Sequence, residues 1–203
     1  MIRPLYLFII VAAVSLWSAI DPADRFTWWL EIAPVLIYGI VLFTTRHVFA
    51  LTPLLYGLIA FHCIILAVGA HYTYAEVPLF NWLRDTYELS RNHYDRLGHF
   101  AQGFVPAMIA RELLLRTSPL QAGKWLFVIV VLGCLGISAA YELIEWIVGD
   151  MTGEGAVAFL GTQGDVWDTQ KDMFLALIGA ILALLMLGKT HDKALAKLRG
   201  VHW

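Results

Sequence analysis

The sequence predicts an all-α fold, a polytopic bundle of about six transmembrane helices, and three observations support this prediction. Of the 203 residues, 60% are hydrophobic and only 15% are charged, whereas soluble domains are about 45–50% apolar and about 25% charged. The mean hydropathy is +0.70. Apolar segments close to the roughly 20 residues that cross about 30 Å of hydrocarbon recur along the chain.

The predicted spans form one integral membrane domain that covers residues 1–203. The first apolar segment is longer than the core of a signal peptide, and no small-residue cleavage site precedes Asp21. We therefore interpret it as a first span or signal anchor. The predicted spans are Pro4–Ile20, Phe26–Phe43, Phe49–Gly69, Leu97–Leu115, Trp125–Val148 and Met173–Gly188.

Span four is the least apolar of the six. His99, Gln102, Arg111 and Glu112 interrupt it, yet its apolar residues recur at helical spacing. This pattern predicts a helix inside the bundle, with its polar side chains turned towards other helices.

Two connections are unusually long, at about residues 70–94 and 149–171. Long connections in compact proteins often form lids or parts of sites. The second connection contains the apolar stretch Ala156–Gly161, which is far too short to span a bilayer. We predict a re-entrant turn there, buried against protein.

The lysine and arginine distribution predicts that both termini lie in the cytoplasm, because cytoplasmic flanks of transmembrane helices are enriched in these residues. The outer flanks carry fewer basic residues and most of the acidic ones. The cytoplasmic set is Arg3, Arg46, Arg116, Lys124, Lys189, Lys193, Lys197 and Arg199.

Charge and cysteine content exclude two classes of function. The net charge of −2 gives no basic field for nucleic acid. Cys63 and Cys134 both lie in long apolar segments, which is typical of small core residues and not of a disulfide or a zinc site.

Ionisable residues of several spans gather at the outer end of the predicted bundle. Span four carries an aspartate and a histidine four residues apart, and span five carries two glutamates three residues apart. Three aspartates follow helical spacing at the start of span six, so each set lies on one helix face. The predicted site is centred on Asp95, His99, Glu142, Glu145, Asp168 and Asp172, with His71 and Asp165 at its edge.

Carboxylates together with imidazole predict a divalent metal ion, namely Zn²⁺, Mg²⁺, Mn²⁺ or Fe²⁺. Charges within a membrane segment cost about 2.5–3.5 kcal/mol each at a helix centre on insertion scales, and a bound cation would offset that cost. Protonation and pairing with the nearby arginines or lysine are the alternatives. Because a bound cation activates water or holds a phosphate, Asp95, His99 and Glu145 are candidate catalytic residues.

Most of these residues also have a purely structural interpretation. Asp95 beside Arg96 is typical of a salt-bridged helix start, and His99 of a hydrogen-bonded core histidine. Asp165 and Asp168 suit a helix cap and first-turn acids. The other interpretations are Glu31 snorkelling to the outer interface, Tyr72 and Tyr74 in the interfacial aromatic belt, His62 as a polar bundle contact, and His47, His191 and His202 on solvated flanks.

Four strings, Gly69–Pro78, Asn92–Phe100, Glu142–Trp146 and Gly161–Met173, carry a resemblance that covers essentially the whole chain. They resemble the bacterial YjdF family of small inner-membrane proteins. The resemblance implies a multi-pass protein of the bacterial inner membrane and supports the location of the site, but it implies no reaction.

A second, wider resemblance involves Asp95-Arg96-x-x-His99-Phe100 followed by Glu142, the aspartate-rich start of the last helix and Gly179. This combination is similar to the VanZ-like group, which is associated with resistance to glycopeptide antibiotics. The chain departs from that group in having Arg96 and Glu145 where the group typically has lysine and glutamine.

These observations leave three functions to compare. The first is a metal-dependent hydrolase or transferase that acts on a lipid or lipid-linked head group at the outer face. The second is a non-enzymatic lipid-binding or envelope-stress protein. The third is a small transporter with a proton or cation relay, ranked last because the sequence shows no duplicated halves. The predicted partners are membrane lipids, without nucleic acid.

Overall fold

The computed structural model describes residues 4–153 and 157–199, which fold into helices and their connections. No β-strand occurs within those two ranges, as predicted for an all-α protein. The helices are α1 Pro4–Ser18, α2 Arg25–Thr45, α3 Pro53–Tyr72, α4 Pro78–Thr86, α5 Tyr94–Thr117, α6 Lys124–Thr152, α7 Val157–Leu160 and α8 Asp168–Arg199.

Four of these helices, α2, α3, α6 and α8, are long and apolar enough to cross a membrane. Helix α1 is apolar but has only 15 residues, fewer than the roughly 20 that a perpendicular span needs. Helix α5 has 24 residues, but the charged residues near its two ends lower its hydropathy. Length and composition therefore support four membrane-spanning helices, compared with the six spans predicted.

The outer surface of the bundle is rich in large apolar side chains. Ile40, Leu132 and Leu185 on three of the spanning helices are 64%, 59% and 67% exposed. Soluble monomers rarely expose contiguous apolar patches on this scale. Because most backbone polar groups of these helices are paired within the helix, such a surface is compatible with lipid.

Helix α5 lies inside the bundle, where it packs against α3, α6 and α8. Its contact with α8 depends on glycine. A Cβ atom added at Gly103 would lie 1.8 Å from the carbonyl oxygen of Ala176, and one added at Gly179 would lie 2.2 Å from that of Phe100. Small residues let membrane helices approach this closely. The approach brings the polar residues of α5 against the start of α8.

Replacing Gly103 by alanine is expected to destabilise the protein by about 1–3 kcal/mol or more, because the new methyl group overlaps the α8 backbone. The matched control is Gly133→Ala in α6, where nothing lies within 4 Å and alanine is expected to stabilise the helix by about 0.5–1 kcal/mol. Cys63 and Cys134 are buried and free, so a thiol-reactive dye reports unfolding in detergent. Equal melting temperatures for the two variants would contradict the close α5–α8 approach.

Both long connections contain a short helix that the sequence pattern did not predict. Pro78 begins α4 at a first-turn position, where its missing N–H group costs no hydrogen bond. Helix α7 packs against α6 and α2, and Phe159 within it is buried. The predicted apolar turn therefore lies against protein at this residue, while Ala156 lies outside the described residues. The depth of the turn in a membrane stays a prediction.

Candidate functional site

The starts of α5 and α8 bring three of the predicted ligands together. One donor atom from each of Asp95, His99 and Asp172 lies within 4.8 Å of the other two. His99 and Asp172 are buried, and Asp95 is partly exposed. A single cation with metal–ligand distances of about 2.0–2.5 Å can bridge donors at roughly this separation. We call Asp95, His99 and Asp172 the three-donor group.

The orientation of His99 suits a metal ligand. Its Nδ1 lies 3.0 Å from Oε1 of Gln102. An amide oxygen can only accept, so Nδ1 donates this hydrogen bond, and in the neutral form of the ring Nε2 then carries the lone pair. That Nε2 lies 3.4 Å from Oδ1 of Asp95. Metal-binding histidines commonly have their other ring nitrogen fixed in this way.

The two glutamates of α6 occupy different positions. Glu142 is buried, with Oε1 3.7 Å from His99 Nδ1. This oxygen and Oδ1 of Asp172 are buried without a hydrogen-bond partner among the described residues. Such atoms in a native site call for an ion or water. Glu145 lies outside the three-donor group and instead lines an adjoining cavity.

Asp168, also a predicted metal ligand, is paired with Arg91. The Arg91 guanidinium donates to Asp168, to Asp95 at 3.3 Å and to the carbonyl oxygen of Gly161 at 3.1 Å. Its side chain is only 3% exposed. Arg91 therefore neutralises Asp168, joins the two long connections and contacts Asp95 of the three-donor group.

Asp165 anchors the start of α8 and is not part of the three-donor group. It accepts from Lys171 at 2.6 Å and from Arg96 at 2.8 Å, and from the backbone N–H of Trp167 at 3.1 Å. The Lys171 hydrogen bond, then the Trp167 N–H, hold the pKa of Asp165 below its usual range. Asp165 thus has a structural role, which is to hold the start of α8 through these contacts. The interpretation that Asp95 pairs with Arg96 is wrong, since its basic partner is Arg91.

His71, predicted at the edge of the site, lies elsewhere. Its Nδ1 is 3.1 Å from the carbonyl oxygen of Ser18, and its ring packs on Trp17 with 4.5 Å between centroids. Both partners belong to α1, so His71 fastens α1 to α3. The backbone turns away from the expected direction at Thr73 and Tyr74, which both have positive φ.

Tyr74 is also not at the interface predicted for it. It is 6% exposed and therefore does not belong to an interfacial belt. A Cβ atom at Gly69 would lie 2.4 Å from its ring, and one at Gly98 would lie 2.9 Å from it. The ring fills a space between α3 and α5 that only glycine leaves open. Gly69 and Gly98 were the signal in the sequence that a large side chain packs there.

Beside the three-donor group lies a cavity of about 280 Å³ between α2, α3, α5 and α6. Asp95 and His99 form one wall, and Glu31, Tyr141 and Glu145 form others. Glu31 is only 7% exposed, so the interpretation that it snorkels to the interface is wrong. A larger groove of about 430 Å³ between α1, α2 and α3 has an apolar lining with Arg46. Among the described residues, no carboxylate or imidazole lines this groove.

A second buried polar network occupies the opposite end of α5. Glu112 is fully buried and accepts from Thr52 Oγ1 at 2.8 Å, from Arg116 at 2.8 Å and from the His191 ring at 2.8 Å. His191 also contacts Arg111 at 2.7 Å. The assignment of His191 to a solvated flank is therefore wrong. His202 lies outside the described residues.

Comparison with known proteins assigns the chain to a family. The family model described as "Predicted membrane protein (DUF2238)" matches residues 3–193. The chain belongs to the DUF2238 family. It is 47% identical over 184 residues to the inner membrane protein YjdF of Escherichia coli strain K12, covering 91% of this chain and 88% of that protein. No solved structure matches the chain.

Membership of the DUF2238 family confirms the resemblance to YjdF proteins that the four strings indicated. Together with the apolar helices, it confirms a multi-pass protein of the bacterial inner membrane. The similarity to the VanZ-like group stays a prediction.

Proposed function

We propose that this DUF2238 protein is a metal-dependent hydrolase or transferase that acts on a lipid or lipid-linked head group at the periplasmic face. The observation that carries the proposal is the three-donor group, with its donor atoms within 4.8 Å of one another. The three donors are buried or partly buried, and among the described residues carboxylate oxygens at the site lack a hydrogen-bond partner. This is the chemistry of a divalent-cation site.

The proposed topology has six spans, with both termini in the cytoplasm. Helix α5 can cross because its charged residues cluster at its ends, with Asp95 and Arg96 outside and Arg111, Glu112 and Arg116 inside. Other helices cover it on several sides, so its low hydropathy is no obstacle in a bundle. Helix α1 would cross with its ends near the interfaces.

In this proposal, Zn²⁺, Mg²⁺, Mn²⁺ or Fe²⁺ binds Asp95, His99 and Asp172, with Glu142 as a further oxygen donor. The cation would lower the pKa of a bound water or hold a phosphate of the head group. Glu145, outside the three-donor group and facing the cavity, is placed to act as general base. Asp168 has a supporting role through Arg91.

One observation favours the non-enzymatic alternative. Arg91 already neutralises much of the negative charge at the site, since it contacts both Asp95 and Asp168. A network neutralised in this way can be structural. In that case the adjoining cavity would bind lipid without chemistry.

The two proposals differ in lipid turnover. The purified full chain would be reconstituted into vesicles of total inner-membrane lipid extract and incubated with each of the four metals. Lipids would be quantified by mass spectrometry. One lipid class should be consumed by the wild-type protein and by the exposed-loop control Glu88→Gln, but not by His99→Ala or Asp172→Asn. No change in any lipid with any of the four metals would reject the enzyme and favour the binding protein.

A further inference from the structure

The cavity beside the three-donor group has features that metal chemistry does not require. Its volume of about 280 Å³ is near the lower end of small-molecule sites, about 300–1,000 Å³. Asp95 and His99 face both the three-donor group and the cavity. Asp172 does not line the cavity. The cavity is therefore a neighbouring compartment that shares one wall with the three-donor group.

His62 on α3 lines this cavity with its hydrogen-bonding capacity unused. It is 3% exposed, and neither ring nitrogen has a hydrogen-bond partner among the described residues. Its ring packs edge-on against Tyr38, with 5.9 Å between centroids. A neutral imidazole has one donor and one acceptor, and leaving both unpaired in a buried position is unfavourable. An N–H donor of a ligand in the cavity would satisfy the acceptor nitrogen.

The charge of the lining selects the kind of ligand. Three carboxylates, of Glu31, Asp95 and Glu145, line the cavity, and no lysine or arginine does so within residues 4–153 and 157–199. Pro34 and Pro106 also line it. A proline inside a helix leaves the carbonyl four residues earlier without its usual N–H donor. The polar groups of the lining are thus mainly hydrogen-bond acceptors, with no basic side chain among the described residues, which favours a cationic ligand with several N–H donors.

The cavity opens towards the bilayer. Ile37 of α2 and Ile137 of α6 line it and are 59% and 52% exposed, and both helices are membrane-spanning. At a rise of about 1.5 Å per residue, Glu31 lies about 9 Å and Ile37 about 18 Å from the start of α2. The opening therefore lies at hydrocarbon depth and the carboxylate lies closer to the outer surface. A ligand that used this opening would arrive from within the membrane.

We propose that the cavity receives the primary ammonium group of an aminophospholipid, which enters laterally between α2 and α6. The ammonium lies among Glu31, Glu145 and His62, and the acyl chains stay in the bilayer beside Ile37 and Ile137. This inference names the lipid class that the site would bind. It rests on the proposed function only in taking this lipid as the substrate, because binding in the cavity does not need the metal.

The test uses the full chain in detergent, with bound lipid counted by native mass spectrometry. The probes share the same acyl chains and carry phosphoethanolamine, its N-methyl and N,N-dimethyl forms, or phosphocholine. Methylation removes N–H donors while the positive charge stays. We expect occupancy to fall along this series, with a preference of about tenfold for phosphatidylethanolamine over phosphatidylcholine. Equal occupancy across the series would overturn the proposal.

Two further arms locate the ligand and its source. Glu31→Gln should abolish the preference, whereas the exposed control Glu88→Gln should retain it; if Glu31→Gln does not fold, the methylation series on the wild-type protein decides. Free phosphoethanolamine should not displace the lipid. Displacement at equal concentration would show that a soluble amine is the ligand and would overturn lateral entry.

The metal and the lipid are tested separately by Asp172→Asn, because Asp172 lies outside the cavity lining. This variant should lose the metal and lipid turnover but keep the lipid preference. A wild-type protein that shows the preference without a metal would reject the proposed enzyme alone. A wild-type protein with metal and turnover but no preference would reject the cavity assignment alone.

Discussion

Replacing Arg91 by leucine is expected to destabilise the protein by about 3–5 kcal/mol, the cost of removing one partner from a buried ion pair. Arg91 is 3% exposed and contacts Asp95 and Asp168, which would be left as buried carboxylates without their basic partner. The carbonyl oxygen of Gly161 would also lose its donor. The two long connections should separate, so cleavage by added protease near residues 161–167 should rise along with the loss of global stability.

The controls for Arg91 separate charge from geometry. Arg91→Lys keeps the positive charge but lacks the planar fork that reaches several acceptors at once, so an intermediate loss is expected. Arg84→Leu removes an arginine whose partner, Asp85, is 67% exposed, and exposed pairs contribute about 0–1 kcal/mol. Thermal melts with a thiol-reactive dye would rank the three variants. A melt of Arg91→Leu equal to that of Arg84→Leu would contradict the role of Arg91.

Replacing Glu112 by leucine is expected to have a comparable effect, about 3–5 kcal/mol, at the opposite end of the bundle. The Glu112 carboxylate is fully buried and accepts from Arg116 and His191. It also accepts from the backbone N–H of Thr52 at 3.0 Å. Thr52 is the N-cap residue of α3 and makes no side-chain capping bond of its own, so Glu112 caps α3 from α5. Leucine would leave these donors buried and unpaired.

Two variants test this interpretation of Glu112. Glu112→Gln keeps the size of the side chain but presents an NH₂ group to donors, so it should be less stable than wild type and more stable than Glu112→Leu. Asp192→Asn removes a solvent-exposed partner of Arg111. The Asp192 side chain is 52% exposed, so this change should alter stability by about 1 kcal/mol or less. Reversible unfolding in mixed detergent micelles gives the free energies. A loss for Glu112→Leu as small as that for Asp192→Asn would contradict the capping role.

The sequence predicted the parts of the site that depend on helical spacing. Residues three or four apart on a helix share a face whatever surrounds them, so spacing alone was enough to group Asp95 with His99. Their meeting with Asp172 followed from the order of the spans, since both helix starts lie at the same end of the bundle. The all-α class followed from composition in the same way.

Partner choice could not be predicted, because it depends on tertiary packing. Two arginines, Arg91 and Arg96, lie near Asp95 in the sequence. Only the folded structure shows that Arg91 is its partner. Periodicity likewise gave no sign that His191 would lie against Glu112. In each case the sequence indicated a charged or polar side chain near a helix end. Whether that side chain contacts protein or solvent depends on its burial in the folded bundle.

Glu31 shows the same limit within a span. Its distance from the outer end of α2 suited either snorkelling or burial, and the side of the helix on which it lies decided between them. The structure turns it towards the cavity, which Tyr141 also lines. An acid inside a membrane segment is a functional candidate by default, and the role of Glu31 in the cavity stays a proposal.

The metal content of the purified full chain shows whether the three-donor group binds a divalent cation. Protein prepared without chelators would be analysed for all divalent metals by mass spectrometry, with folding checked by the thiol-reactive dye. We expect one divalent ion per wild-type chain, loss of that ion in Asp172→Asn and its retention in Glu145→Ala and Glu88→Gln. Folded wild-type protein without a bound divalent ion, before and after incubation with Zn²⁺, Mg²⁺, Mn²⁺ or Fe²⁺, would contradict it.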